Sequence, residues 1–166
     1  MSRLLIVDDF PIIVDGLAEL FSEKAELDME IFRAYSVIEA LEVLGNVRID
    51  IVLSDIRMPV KTGIDLLKEI RSQWPRCKVI FLTSYNDFQY ARDAISLGGY
   101  DYILKTEGDE RIIESVCRAL EELRNEQEYE ELIKKSKEQY NQSKPILQKE
   151  FFTELLAGRK TSVIVR

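Results

Sequence analysis

Acidic residues stand directly behind two apolar runs of this chain. Leu4-Leu5-Ile6-Val7 leads into Asp8-Asp9, and Ile51-Val52-Leu53-Ser54 leads into Asp55, with Arg57, Met58 and Pro59 close behind. Three carboxylates gathered at one point repel one another and need a cation. All-oxygen ligation suits magnesium, with water filling its other positions. A carboxylate in that setting can also be a nucleophile. Aspartyl phosphates form this way, and the metal neutralises charge as the phosphoryl group arrives. Asp55 is the candidate for that role. Thr83 follows another apolar run and Lys105 another. A hydroxyl and an ammonium at the same rim would bind phosphoryl oxygens. Singly, such residues are most often solvated surface groups. Five of them in strand order on one rim form a far more specific set.

Only a particular scaffold brings these residues together. Short apolar runs of this kind read as fully buried strands of a parallel sheet. Strand-like and helix-like segments alternate five times. Strands are expected at residues 3–7, 27–35 (an edge strand), 49–53, 79–82 and 100–104. Pro11 fits the first turn of a helix whose apolar face is Ile12, Ile13, Leu17, Leu20 and Phe21. Ser36 with Glu39 reads as a capping box, and Gly45 as the end of that helix. Further helices are expected at 63–73, stopped by Trp74-Pro75, and at 87–97, ended by Gly98-Gly99. The alternation implies an α/β fold, a doubly wound five-stranded parallel sheet in the order 2-1-3-4-5. That order sets the ends of strands 1 and 3 side by side, where ligands bind such sheets.

A helical pattern free of Gly and Pro then runs from Asp109 to about residue 141. Such a helix is about 50 Å long, whereas the domain before it should be about 30–35 Å across. An extended C-terminal helix is therefore expected to outrun its domain. Ile113, Val116, Leu120 and Leu123 follow 3-4 spacing, and Tyr129, Ile133, Ser136 and Tyr140 continue it after an offset near Glu126. This seam predicts a coiled-coil homodimer. Pro145 interrupts the pattern; Ile146, Leu147, Phe151, Phe152, Leu155 and Leu156 form a short amphipathic stretch ended by Gly158. Residues 161–166 read as an apolar tail with nothing to pack on. The expected organisation is a domain at 1–125, a helical linker or coiled coil at 126–144, and the start of a missing output region at 145–166.

Composition narrows the chemistry. The chain has 166 residues, 46% of them hydrophobic, a net charge of −7 and no histidine. The missing histidine excludes His-based acid–base and triad chemistry. The acidic balance argues against a nucleic-acid partner for these residues. Cys77 and Cys117 are far apart and read as reduced, packed thiols. No secretory signal opens the chain and no run approaches a membrane span. A cytoplasmic protein without membrane contact is expected.

The stretches IVDD, LSDIRMP, FLTS and YDYILK resemble the receiver domain of bacterial two-component response regulators, over residues 1 to about 125. The resemblance implies the flavodoxin-like receiver fold. It implies a non-enzymatic phosphoacceptor, with Asp55 taking a phosphoryl group from the phosphohistidine of a sensor histidine kinase. Asp8, Asp9, Asp55 and the backbone carbonyl of Arg57 would hold Mg2+. Thr83 and Lys105 would contact the phosphoryl group, and Tyr102 would be the switch aromatic that turns inward as the threonine moves. Phosphorylation would then change the face of helix 4, strand 5 and helix 5, and with it a homodimer. SYNDFQYARDAISLGGYDYILK and KEFFTELLAG are similar to response regulators of the YesN/AraC type, which implies a transcriptional regulator reaching DNA only through a domain absent from this chain. The alternatives are a stand-alone receiver signalling by protein contacts and a magnesium-dependent phosphatase with an aspartate nucleophile. One position departs from the pattern: Lys105-Thr106 stands where the family has Lys-Pro, its proline peptide typically cis. A cis bond before threonine costs about 2.5–4 kcal/mol, so either the bond is strained or the ammonium reaches the site from a trans loop. Thr106 is also placed to cap the last helix.

Overall fold

The computed structural model describes residues 1–84 and 88–142. Strands β1 (Ser2–Val7), β2 (Met29–Ala34), β3 (Ile51–Asp55), β4 (Lys78–Thr83) and β5 (Asp101–Leu104) form one sheet. All four strand pairings are parallel, and the order is β2-β1-β3-β4-β5. Helices α1 (Pro11–Ser22), α2 (Val37–Asn46), α3 (Gly63–Gln73), α4 (Phe88–Ser96) and α5 (Asp109–Gln142) connect and cover it. This is the doubly wound, flavodoxin-like arrangement expected from the alternation of the sequence.

The central strands are apolar on both faces because both faces are covered. Leu5, Val7, Val52, Val79 and Phe81 enter one core with residues of α2, α3 and α4. Leu4, Ile6, Ile51, Leu53, Ile80 and Leu82 enter the other with residues of α1 and α5. Period-two alternation thus sends each strand's neighbours to opposite layers.

Several local expectations need correction. In α1 the buried face is Val14, Leu17, Ala18 and Phe21, while Ile12 is 80% exposed. The buried set follows i, i+3, i+4, i+7, and Ile12 lies off that stripe. α2 continues through Gly45 to Asn46, and Val47 leaves it extended, so no left-handed glycine ends it. β2 starts at Met29, because residues 25–27 form a 3₁₀ turn and Asp28 takes a left-handed φ of 48°. β3 runs two residues later than expected, which makes Asp55 its last residue. Ser54 and Asp55 are both buried. Thr106 lies inside a 3₁₀ turn, Lys105–Glu107, two residues short of Gly108 and so away from the start of α5.

α5 is a single helix of 34 residues. Its first apolar stripe is not a free seam. Ile112, Val116 and Ala119 are buried in the domain's own core, and Ile113, Leu120 and Leu123 pack against it. The sheet face they cover would otherwise be open, so intramolecular packing takes the residues assigned to the first half of a coiled coil. A compact unit spans Met1–Leu123, and the chain from Arg124 forms a second. In the second unit, Leu132 is 62% exposed. The Pro145 break, the amphipathic stretch from Ile146 to Leu156 and the tail at 161–166 lie outside the described residues. Among the described residues no helix is long and apolar enough to cross a membrane.

Candidate functional site

Strand register puts the acids level with one another. Val7 pairs with Ser54, so Asp8 and Asp55 follow at the same height. Asp55 pairs with Leu82, one residue before Thr83, and Thr83 pairs with Leu104, one residue before Lys105. The carboxyl ends of four strands therefore deliver all five side chains to one rim. Asp8, Asp9 and Asp55 each offer a carboxylate oxygen, and these lie within 4.8 Å of one another. Lys105 Nζ is 3.4 Å from Asp8 Oδ2 and 3.5 Å from Asp55 Oδ1. Among the described residues there is no cis peptide, so a trans Lys105–Thr106 bond carries the ammonium to the acids.

The acids are held by backbone groups. Asp55 Oδ1 accepts the Ile56 N–H at 2.9 Å, and Asp8 Oδ1 accepts the Phe10 N–H at 3.0 Å. Both residues are nearly inaccessible, at 5% and 2% exposure. Burial, reinforced by the charge of Asp8, pushes the Asp55 carboxyl up to about 6, against the pull of Lys105 and the Ile56 amide. Burial also raises Asp8, with the Phe10 amide and Lys105 opposing it. Burial away from water is thus the main cause of both shifts, and one ammonium stands among three carboxylates.

These residues fit a magnesium ion. The donors are all hard oxygens, they converge, and Asp9 Oδ1 is buried without a hydrogen-bond partner among the described residues. The Thr83 hydroxyl is likewise buried without a hydrogen-bond partner there. A buried unpaired hydroxyl costs about 1–3 kcal/mol, which marks it as a donor lacking its acceptor. Tyr102 is half-buried against the core layer that contains Phe81, its partner across the β4–β5 ladder. Arg57 lies two residues past Asp55, with its guanidinium 5.8 Å from the centroid of the Tyr90 ring.

Two supporting features escape a reading of residue types. The first is Gly63: a Cβ there would fall on the Asp55 carbonyl oxygen and within 3.0 Å of Ile56 Cα. Its amide bonds the Ile56 carbonyl at 2.7 Å, so α3 begins against the backbone that presents Asp55. A glycine opening a predicted helix just past an acid was the available signal. The second is the set of side chains around β5. Asp101 accepts from the Tyr102 N–H, the Ser115 hydroxyl and Arg111, and Glu107 accepts from the Leu104 N–H. Nothing in the sequence marks these as a group. In the loop between β3 and α3, Val60 has a φ of 71°, and the Lys61 N–H bonds the Pro59 carbonyl at 2.8 Å. A β-branched residue rarely adopts that conformation.

Known proteins share this architecture. A family model described as the response regulator receiver domain matches residues 4–117. The transcriptional regulatory protein LnrK of Bacillus subtilis is 38% identical over 116 residues, 70% of this chain and 52% of that protein. The uncharacterised transcriptional regulatory protein YesN of the same organism is 27% identical over 158 residues, 95% of this chain and 43% of the relative. The chain thus spans about half the length of these curated relatives. Among solved structures, the response regulator TrrA of Thermotoga maritima in complex with Mg2+-BeF superposes with a TM-score of 0.64. It is 33% identical, and the match covers 72% of this chain and 99% of that one.

Proposed function

Because this chain belongs to the response regulator receiver-domain family, we propose that Asp55 is the acceptor of a phosphoryl group supplied by the phosphohistidine of a sensor histidine kinase. An Asp55 carboxylate oxygen attacks phosphorus, an O–P bond forms, and the donor's N–P bond breaks with its electron pair leaving on the imidazole. Asp8, Asp9 and Asp55, with the Arg57 carbonyl, would hold Mg2+, which when bound would supply positive charge to offset that of the phosphoryl group. Lys105 neutralises part of the acids' charge and turns its ammonium to the new phosphoryl group. Thr83 donates its hydroxyl to a phosphoryl oxygen, which gives that buried group its acceptor. Tyr102, on the next strand, follows Thr83, and the surface of α4, β5 and α5 changes. A local charge thereby biases a bistable element.

One observation carries this reading: an aspartate at a strand end lies within ligand distance of two further aspartates, and a lysine ammonium sits 3.5 Å from it. Likeness to relatives named as transcriptional regulators supports regulation of transcription in the cytoplasm as the output, through a DNA-binding region outside this chain. We place the receiver at residues 1–125, a helical linker at 126–144 and the start of an output region at 145–166. A homodimer would use the α4-β5-α5 face together with the later part of α5. Intact mass after mixing with acetyl phosphate and magnesium tests the central step. One added phosphoryl group, absent when a chelator is present throughout the reaction, is the expected result. Labelling that is indifferent to magnesium would overturn it.

A further inference from the structure

Among the described residues β5 is the edge strand of the sheet, paired only with β4. An open edge leaves a row of main-chain amides without ladder partners. Here two of them are taken by side chains. The Tyr102 N–H donates to Asp101 Oδ1 at 2.8 Å, and the Leu104 N–H donates to Glu107 Oε2 at 2.7 Å. Both carboxylates meet one guanidinium: Arg111 Nη2 is 3.1 Å from Asp101 Oδ2, and Arg111 Nε is 3.8 Å from Glu107 Oε1. Ser115, fully buried on α5, donates to the same Asp101 Oδ2 at 2.7 Å. The network joins both ends of β5 to the first turns of α5.

Lys105 lies inside this bracket. It follows Leu104, whose amide Glu107 holds, and it opens the 3₁₀ turn that Glu107 closes. Gly108, with a φ of 96°, then redirects the chain into α5. A lysine side chain has four rotatable bonds and about 2 kcal/mol of rotamer entropy. An ammonium on a loosely held backbone would not stay within 3.5 Å of two buried carboxylates. We infer that Glu107, tethered by Arg111, is a positioning residue: by fixing the Leu104 amide it aims the Lys105 ammonium at Asp8 and Asp55. This inference rests on the phosphoacceptor reading for its consequence, while its geometry stands apart from that reading.

The test uses the full chain and has two arms. In the first, Asp55 labelling by acetyl phosphate with magnesium is timed for the wild type, Glu107→Ala, Glu107→Gln, Lys105→Ala and the Glu107→Ala/Lys105→Ala pair. Misplacing a reacting group by about 1 Å can cost up to about 100-fold in rate; a slowing of about 10-fold or more is expected for Glu107→Ala. Glu107→Gln, whose amide oxygen still accepts the Leu104 N–H, should stay within about 3-fold of wild type. The pair should be no slower than Lys105→Ala alone. A wild-type rate in Glu107→Ala, or a further slowing in the pair equal to that of Glu107→Ala alone, would overturn the inference and leave Glu107 as an edge seal. The second arm is a crystal structure of Glu107→Ala, or of Glu107→Thr should the alanine variant not fold. The Lys105 ammonium should have left both carboxylates; an unmoved ammonium overturns the inference. If the wild type takes no label, the phosphoacceptor reading fails, and the second arm still decides the positioning.

Discussion

The two halves of the rim are built differently. On the side of β1 and β3, Asp8 and Asp55 are fixed by the main chain itself. They end strands buried on both faces, and each carboxylate is held by a backbone amide one or two residues on. On the side of β4 and β5, Lys105 stands beyond a short edge strand held in place by Asp101, Glu107, Arg111 and Ser115. Moving the acid half would disturb the core. The Lys105 end is held by side-chain hydrogen bonds, and beside it the buried strand β4 ends in the Thr83 hydroxyl, which has no hydrogen-bond partner among the described residues. A switch needs this asymmetry, with a fixed site for the incoming charge and a neighbouring element able to answer it.

The largest effect should come from breaking the rigid half. Gly63→Ala drives a methyl group into the Asp55 carbonyl. Overpacking of this kind costs about 3 kcal/mol, and the displaced Asp55 should lose about 100-fold in labelling rate. Urea unfolding and timed mass spectra read the two losses. Retention of both would show the acid half to be as adaptable as the other.

Next is the charge stored in the acid half. The Asp55 carboxyl is raised to about 6 in the folded metal-free protein, from an ordinary value of 3.8. Below about pH 3 the group is protonated in both states and costs nothing. As the pH rises from about 3 to 6 the unfolded chain releases its proton first, so stability falls, and above about pH 7 the loss is complete. Asp55→Asn should therefore stabilise the metal-free protein by about 2–3 kcal/mol at pH 7, with almost no gain at about pH 3. Denaturation at the two pH values measures this, and magnesium should narrow the gap. An equal gain at both would assign it to packing rather than charge.

The smallest effect belongs to the adaptable half. Thr83→Val keeps the shape and removes a hydroxyl that has no hydrogen-bond partner among the described residues, so stability should rise by about 1 kcal/mol. Labelling of Asp55 should persist, while any change that phosphorylation produces at Tyr102, read by its NMR signals, should be lost. A destabilised Thr83→Val would mean that the hydroxyl is already satisfied in the resting protein.

The same asymmetry governs what was legible in the sequence. β1 and β3 were visible as unbroken apolar runs, and α3 ran from Gly63 to Gln73 as expected, since Trp74-Pro75 marks its end. The acids behind those runs converge as the sheet order requires. By contrast, Asp101, Glu107 and Arg111 look like ordinary charged residues until β5 and α5 are in place. The stripe Ile113-Val116-Leu120-Leu123 was visible but misassigned, because a helix face suited to a partner helix is equally suited to the domain's own sheet. Periodicity identifies an apolar face and not what covers it.

The most direct measurement is chemical mapping of the phosphoryl group. Sodium borohydride reduces an aspartyl phosphate to homoserine, so protein treated with acetyl phosphate and magnesium, then reduced and digested, reports the residue that was modified. Conversion confined to Asp55, and absent without magnesium, is the predicted result. Conversion at Asp8 or Asp9, or none in protein that has gained phosphate, would contradict the assignment of Asp55 as acceptor.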